Sequence, residues 1–360
     1  MKKTLLYRFL FVSFTILLFI SCTTTKFGTT NQTPPTIKQE KGYISIPIYY
    51  GTNRNKISND NDHLFGGKWT DEIKYGYYTA SIPESHETGK LEQPSVLAKL
   101  LGKGFDPEQY IHILKNEVLS KETFLNYLAE ALNRDQEDHA FIFIHGYNNS
   151  FESSALRTAQ LFYDLNYKGV PIMYSWPSTA KSVGYFKDGT NIEKSTALFE
   201  TFILDIVKNN PEKKLNLIAH SMGNRLLVET INQIQKNHPN IKFENIIMAA
   251  PDVGKTNFQN NYHEQIVKSA NQVNLYCSKK DKALNLSKIL NFESRLGLVD
   301  SKIYINQPLK TIDITNTGDC EDLLSHTCFA QAENILIDIK AVLEGKDTNR
   351  KVTNGVYYIN

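Results

Sequence analysis

Several signatures are missing from this sequence, and each absence narrows what the chain can be. There is no excess of basic charge: 40 Lys and Arg stand against 38 Asp and Glu, a formal net charge of +2. A nucleic-acid groove or a polybasic membrane patch needs such an excess, so neither is expected. No Cys/His spacing has the pattern of a metal site. No glycine-rich turn matches a P-loop or a dinucleotide fingerprint. No metal and no cofactor is therefore expected. Cysteine is scarce, with four residues, and no internal repeat is visible. No apolar run reaches the roughly 20 residues that a membrane-spanning helix requires. The apolar stretch Phe9 to Ile20 is too short and wrongly flanked for one.

That stretch reads instead as the core of a targeting segment over residues 1–21, opened by Lys2, Lys3 and Arg8. It ends Phe19-Ile20-Ser21-Cys22. A small residue followed by Cys resembles a bacterial lipobox, although Phe19 stands where Leu is usual. The junction implies cleavage before Cys22 and a lipid on that cysteine; the alternative is an ordinary secretory signal with an incidental Cys. Losing residues 1–21 removes three positive charges and no negative ones, so the formal charge becomes 2 − 3 = −1. The segment that follows, to Lys41, is rich in Thr, Gln and Pro, and residues 22–41 are expected to form a flexible tether. Residues 42–360 then make one domain. The three residues after Cys22 are all Thr, with no acidic retention signal, which points to the outer membrane facing the periplasm.

The chemistry is concentrated in Leu215-Asn-Leu-Ile-Ala-His-Ser-Met-Gly-Asn-Arg-Leu-Leu227. An apolar run to Ala219 predicts a short buried strand. A helical pattern with Leu226, Leu227, Ile231 and Ile234 follows at once. Between them lies Ala219-His220-Ser221-Met222-Gly223, a small-x-Ser-x-small pentapeptide, the pattern of a nucleophile elbow with Ala in place of the first Gly. A sharp reversal from strand to helix strains the serine backbone and leaves no room for side chains two residues either side. In return the hydroxyl projects from the sheet edge at a helix N-terminus, where N–H groups face developing negative charge.

Apolar strand runs alternate with helical patterns along the rest of the chain. Strands are expected at Ile44–Tyr50, Tyr75–Ile82, Tyr110–Leu114, Ala140–Ile144, Val170–Ser175, Phe243–Ala249, Gln272–Cys277 and, last, Thr311–Thr315. Helices are expected from Ser120, from Ser150, over Glu193–Lys208, after the elbow, and from about Phe329 to Leu343. This alternation predicts an α/β fold with a mainly parallel central sheet and helices on both faces. Sites in such sheets lie beyond the carboxyl ends of the strands. Tyr147, Ser221, Asp252, Asp281 and His326 all follow strands. They fall in the order Ser, Asp, His that α/β-hydrolases use. His145 reads as a loop-bracing residue. Tyr147 and Met222 are the expected oxyanion donors through their backbone N–H groups. Tyr185 and Phe186 fall in a loop and suggest a pocket wall.

Several motifs together carry a family resemblance: Tyr50-Gly-Thr-Asn-Arg54, His145-Gly-Tyr-Asn-Asn-Ser-Phe-Glu-Ser-Ser154, Tyr174-Ser-Trp-Pro-Ser178, Ala219 to Arg225, and Ala249-Ala-Pro-Asp252. The sequence resembles the bacterial α/β-hydrolase family labelled as being of unknown function, or "esterase/lipase superfamily enzyme". The resemblance covers roughly Ile44 to Leu343. It implies the hydrolase fold and a triad carried here by Ser221, Asp281 and His326, and it implies no particular substrate. One departure concerns the histidine: relatives have an aromatic soon after it, whereas this chain reads His326-Thr-Cys-Phe329.

Two aspartates compete for the acid. Asp252 sits in Ala-Pro-Asp, equally a cap or a turn. Asp281, the favoured residue, follows the next strand and also has the look of a cap before Ala283-Leu284. Cys320 and Cys328 flank His326 and could pair in an oxidising compartment; Cys277 reads as a buried small hydrophobe. The expected function is hydrolysis of acyl esters by an envelope-anchored serine hydrolase of the carboxylesterase or lipase type. The alternatives are a non-catalytic binding lipoprotein of the same fold, or an acyltransferase or peptidase working on envelope polymers. The sequence leaves oligomeric state and acyl chain length open.

Overall fold

The alternating apolar and polar runs resolve into one sheet with a core on each face. The computed structural model describes residues 33–359 apart from 62, 96, 99–103, 135–137, 182–183, 319 and 321. The expected signal segment, Cys22 and the tether up to residue 32 lie outside the described residues. From Pro34 on, the described chain packs as one compact unit. The strands are β1 (Lys38–Glu40), β2 (Tyr43–Lys56), β3 (Phe65–Pro83), β4 (Ile113–Leu119), β5 (His139–Ile144) and β6 (Val170–Ser175). They continue with β7 (Lys214–His220), β8 (Phe243–Ala249), β9 (Ala270–Cys277), β10 (Lys310–Asp313), β11 (Arg350–Thr353) and β12 (Val356–Ile359). The helices are α1 (Lys121–Asn133), α2 (Phe151–Asp164), α3 (Tyr185–Asn209), α4 (Gly223–Asn237), α5 (Lys255–Asn261), α6 (His263–Ser269), α7 (Lys282–Asn291) and α8 (Glu333–Leu343).

The sheet order is β11-β12-β10-β9-β8-β7-β5-β6-β2-β3-β4, with β1 paired to β2. From β12 through β2 the pairs other than β11·β12 are parallel; β1·β2, β2·β3 and β3·β4 are antiparallel. The central register aligns Ala140 with both Val170 and Leu215, and Ala219 with Met248. Strand side chains alternate between the two cores because the side-chain period is two. Ala140, Ile142 and Ile144 join Phe202, Leu226 and Ile231 from α3 and α4 on one face. Phe141 and Phe143 join Phe151, Ala155, Ile335 and Ile339 from α2 and α8 on the other. Strands buried on both faces read as unbroken apolar runs, as seen here.

Helix starts follow local rules: Ser120 and Ser150 each accept a hydrogen bond from the amide three residues on, capping α1 and α2. Some boundaries differ from expectation. The tether ends early, since Lys38–Glu40 pairs antiparallel with β2. An edge strand needs only backbone groups, so its polar, exposed side chains gave no strand signal. The strand expected at Tyr110–Leu114 runs instead over Ile113–Leu119 as β4. The expected last strand at 311–315 is followed by a further hairpin, β11–β12. Tyr185 and Phe186 open the first turn of α3 rather than lying in a loop. Among the described residues no helix is long and apolar enough to cross a membrane.

Candidate active site

The turn after β7 bends sharply. Ser221 has φ +53°, in the left-handed region that non-glycine residues avoid, a strain of about 1–3 kcal/mol that its surroundings must hold in place. They do so through the backbone. Ser221 N donates to Ala249 O at 3.0 Å, and Ser221 O accepts from Asn224 N and Asp252 N, each at 3.1 Å. Asn224 Nδ2 donates to Ala219 O at 2.9 Å. The small residues are explained by contact. A Cβ on Gly223 would meet His145 O at 2.5 Å, and one on Gly146 would meet Ser221 Cβ at 2.8 Å. Ser221 is nearly buried but reaches a cleft of about 320 Å³ lined also by Tyr147, Tyr185, Leu290, Leu324 and His326.

Across that cleft, His326 Nδ1 lies 2.6 Å from Asp281 Oδ2. Asp281 is also the N-cap of α7, with Oδ1 accepting from Leu284 N at 2.8 Å. Burial disfavours the His326 imidazolium, but the Asp281 carboxylate outweighs it through charge and hydrogen bond. Asp252 and Asp322 add to this, and the pKa lies above the ordinary histidine value. The loop holding His326 is organised by Asp322, whose Oδ2 accepts from His326 N at 2.8 Å and Thr327 N at 3.2 Å. Burial raises the Asp322 pKa, yet these amides and that of Leu324 carry it below the usual value. A disulfide joins Cys320 to Cys328 around the same loop. His220 Nε2 donates to His326 O at 3.1 Å, and its ring stacks on Phe329 at 4.6 Å. Burial, with His326 nearby, pushes the His220 pKa far below 6.5, so it stays neutral.

Asp252, the alternative acid, faces the same cleft but is already occupied. Its Oδ1 accepts from Arg295 Nε at 2.8 Å and from the Ser287 hydroxyl. Its Oδ2 accepts from Arg225 Nη2 and Tyr185 OH, both at 2.8 Å. It caps no helix; Gly254 precedes α5.

The candidate oxyanion loop follows β5. Among the described residues, neither Tyr147 N–H nor Met222 N–H donates to a protein acceptor. His145 braces this loop from below, as its sequence position implied. Its ring stacks on Trp176 at 4.9 Å, and Nδ1 lies 2.8 Å from Gly146 O. Burial, reinforced by Arg54, lowers its pKa to about 3, so the ring is neutral; Nε2 lies 3.1 Å from Trp176 O, 3.2 Å from Ser175 Oγ and 3.3 Å from Arg54 Nη2. Arg54, on β2 and wholly buried, clasps three segments: it donates to Ser175 Oγ at 2.8 Å and Ser178 O at 2.9 Å, to Asn149 O at 2.8 Å, and to Gly66 O at 3.2 Å. Burial lowers its pKa to about 9 against the pull of Asp188. Arg54 and Asp322 were not singled out as functional from sequence. For Arg54 the signal was there, in the Tyr50-to-Arg54 motif; for Asp322 there was none beyond its closeness to His326.

Residues 120–345 match the family described as "Alpha/beta hydrolase of unknown function (DUF900)". The chain belongs to that family. It is therefore a hydrolase of the α/β-hydrolase fold. No curated protein matches it in sequence. Among solved structures it is similar to one described as a "predicted CIB-like hydrolase" from Thermoplasma acidophilum. The identity is 15%, with 64% of this chain and 90% of that one covered and a TM-score of 0.34. It is also similar to an uncharacterized protein from Bacillus cereus at 15% identity, covering 47% of this chain and 55% of that one, with a TM-score of 0.31. At such distance neither likeness bears on the activity of this hydrolase. Cys277 is buried with its Sγ 3.4 Å from Ile312 O, and among the described residues no group of His, Cys, Asp and Glu could hold a metal ion.

Proposed function

We propose that this hydrolase cleaves carboxylic esters by acyl transfer through Ser221, with His326 as the base and Asp281 as the acid. The observation that carries the reading is the 2.6 Å contact between His326 Nδ1 and Asp281 Oδ2, on the cleft that Ser221 reaches from its strained turn. With Nδ1–H held by Asp281, Nε2 is the free nitrogen that accepts the Ser221 hydroxyl proton as Oγ attacks the carbonyl carbon. The oxyanion forms against the N–H groups of Tyr147 and Met222, each worth on the order of 3 kcal/mol. Collapse expels the alkoxide, which takes the proton from His326. Water then attacks the acyl-enzyme, with His326 again as the base, and frees Ser221. Esters are preferred over amides because an alkoxide leaves more readily than an amine.

A panel of p-nitrophenyl esters, assayed on wild type and Ser221→Ala, tests this. Wild type should turn over and label with a fluorophosphonate probe; the alanine variant should lose labelling and several orders of magnitude in rate while keeping its fold. An alanine variant with full activity refutes it. The same proposal places the enzyme on a membrane through lipid on Cys22. Wild type should fractionate with membranes and carry a mass consistent with an acylated N-terminal Cys22; a soluble mature protein starting elsewhere overturns that part.

A further inference from the structure

One wall of the cleft is a stripe of one helix. Ala283, Leu286, Ser287 and Leu290 of α7 all line it, a spacing of three and four residues that puts them on one helical face. Leu286 is 58% exposed and Leu290 38%. Leucines left open beside a reactive serine mark a surface built to be covered. Aromatics join this wall: the Tyr147 and Tyr185 rings meet edge to face at 5.5 Å, and Tyr185 OH lies 2.8 Å from Ser287 Oγ of α7. The Asp252 charge is met by Arg225 and Arg295, and the lysine among the lining residues, Lys282, is exposed and donates to Leu323 O at 3.0 Å. A substrate arm bearing several hydroxyls would lose water against the leucines and regain few partners. An alkyl chain loses nothing. The wall is also registered to the chemistry, since α7 is capped by Asp281, the partner of His326.

We propose that this cleft holds one alkyl chain of the ester, and that Leu286 and Leu290 set the length of chain it accepts. The inference rests on the serine-hydrolase reading and narrows its substrate class to esters of medium-length aliphatic chains. The cleft is of limited volume, so it takes up a chain only to a certain length before the chain emerges past Leu290.

The chain could belong to the acid or to the alcohol, and two substrate series separate them. One is p-nitrophenyl esters from acetate to palmitate; the other is acetate esters of straight alcohols from methanol to decanol, followed by acid release. In the series whose chain enters the cleft, kcat/KM should rise two- to four-fold per methylene, the upper figure being the burial of a whole methylene, and level off once the chain has filled the cleft. Leu290→Trp should move the maximum to shorter chains. Leu286→Ser should flatten the rise; both positions are open enough to accept the change, as circular dichroism would verify. A flat profile in both series, with Ser221-dependent turnover intact, overturns the groove and spares the hydrolase reading. Failure of every ester to show Ser221-dependent turnover overturns both. Variants with the wild-type profile also refute the role of α7.

Discussion

The Asp281 carboxylate is divided between His326 and the start of a helix: Oδ2 lies 2.6 Å from His326 Nδ1 while Oδ1 accepts from Leu284 N at 2.8 Å. One side chain thus fixes both the tautomer of the histidine and the position of α7. An aspartate locked by a helix N-terminus has little rotamer freedom left, which pre-orients the imidazole before any substrate arrives.

Asp281→Asn should therefore lower kcat by roughly 10⁴, because the amide can stabilise the wrong histidine tautomer, with little loss of fold. Asp252→Asn should do the reverse. It leaves the buried Arg295 and the partly buried Arg225 without their counter-charge, at a cost of about 3–5 kcal/mol. Urea unfolding and steady-state kinetics on the two variants separate these outcomes. A kinetic collapse in the Asp252 variant with an active Asp281 variant would reassign the acid.

The pH profile should carry the mark of Asp281. In the proposed mechanism the base works only when His326 is neutral, and its pKa lies above the ordinary 6.5 because the neighbouring carboxylates outweigh burial. The acid limb of kcat/KM should accordingly fall above pH 6.5, with activity dropping ten-fold per unit below it. Removing the Asp281 charge should shift that limb to lower pH. A limb below 6.5 in wild type would contradict the pairing.

Gly146→Ala probes the proposed oxyanion loop. The added Cβ would sit 2.8 Å from Ser221 Cβ and 3.0 Å from His220 Nδ1, so the loop carrying Tyr147 N–H must retreat. A displaced donor costs on the order of 10²–10³ in kcat. The fluorophosphonate labelling rate should fall with it, while thermal stability changes far less.

Reduction should reach the site through Cys320–Cys328. The bridge closes a short loop that contains His326, and loops of this size contribute about 2–3 kcal/mol. The double Ser variant, or wild type with a phosphine reductant, should melt earlier. Its kcat should fall about ten- to a hundred-fold as His326 loses its placement. Unchanged kinetics after verified reduction would show that Asp322 alone suffices to hold the loop.

Much of this was legible in the chain because the central strands are buried on both faces. Val170–Ser175 and Phe243–Ala249 were bounded to the residue, and the caps Ser120 and Ser150 marked their helices. The edges were not legible. β2 and β3 run on through polar residues, with register shifts at Thr52/Arg54 and Arg54/Lys56, since antiparallel pairing is satisfied by backbone alone. The start of α3 was hidden by Gly189 within its first turns. At the site, order along the chain offered Asp252 and Asp281 alike. What separates them is that Asp252 is met by arginines 27 residues before it and 43 after it, and no local pattern records such pairs.

Arg54 has a bearing on where this enzyme can be divided. The family match begins at residue 120, yet the guanidinium that ties the loops after β5 and β6 arrives from β2, and β2 also pairs with β6 over Tyr49 to Thr52. A polypeptide cut at the family boundary would bare one edge of β6 and leave Ser178 O and Asn149 O without their shared donor. The portable module is longer than the matched segment, and chimaeras between relatives should exchange the hairpin β2–β3 together with the loop it braces.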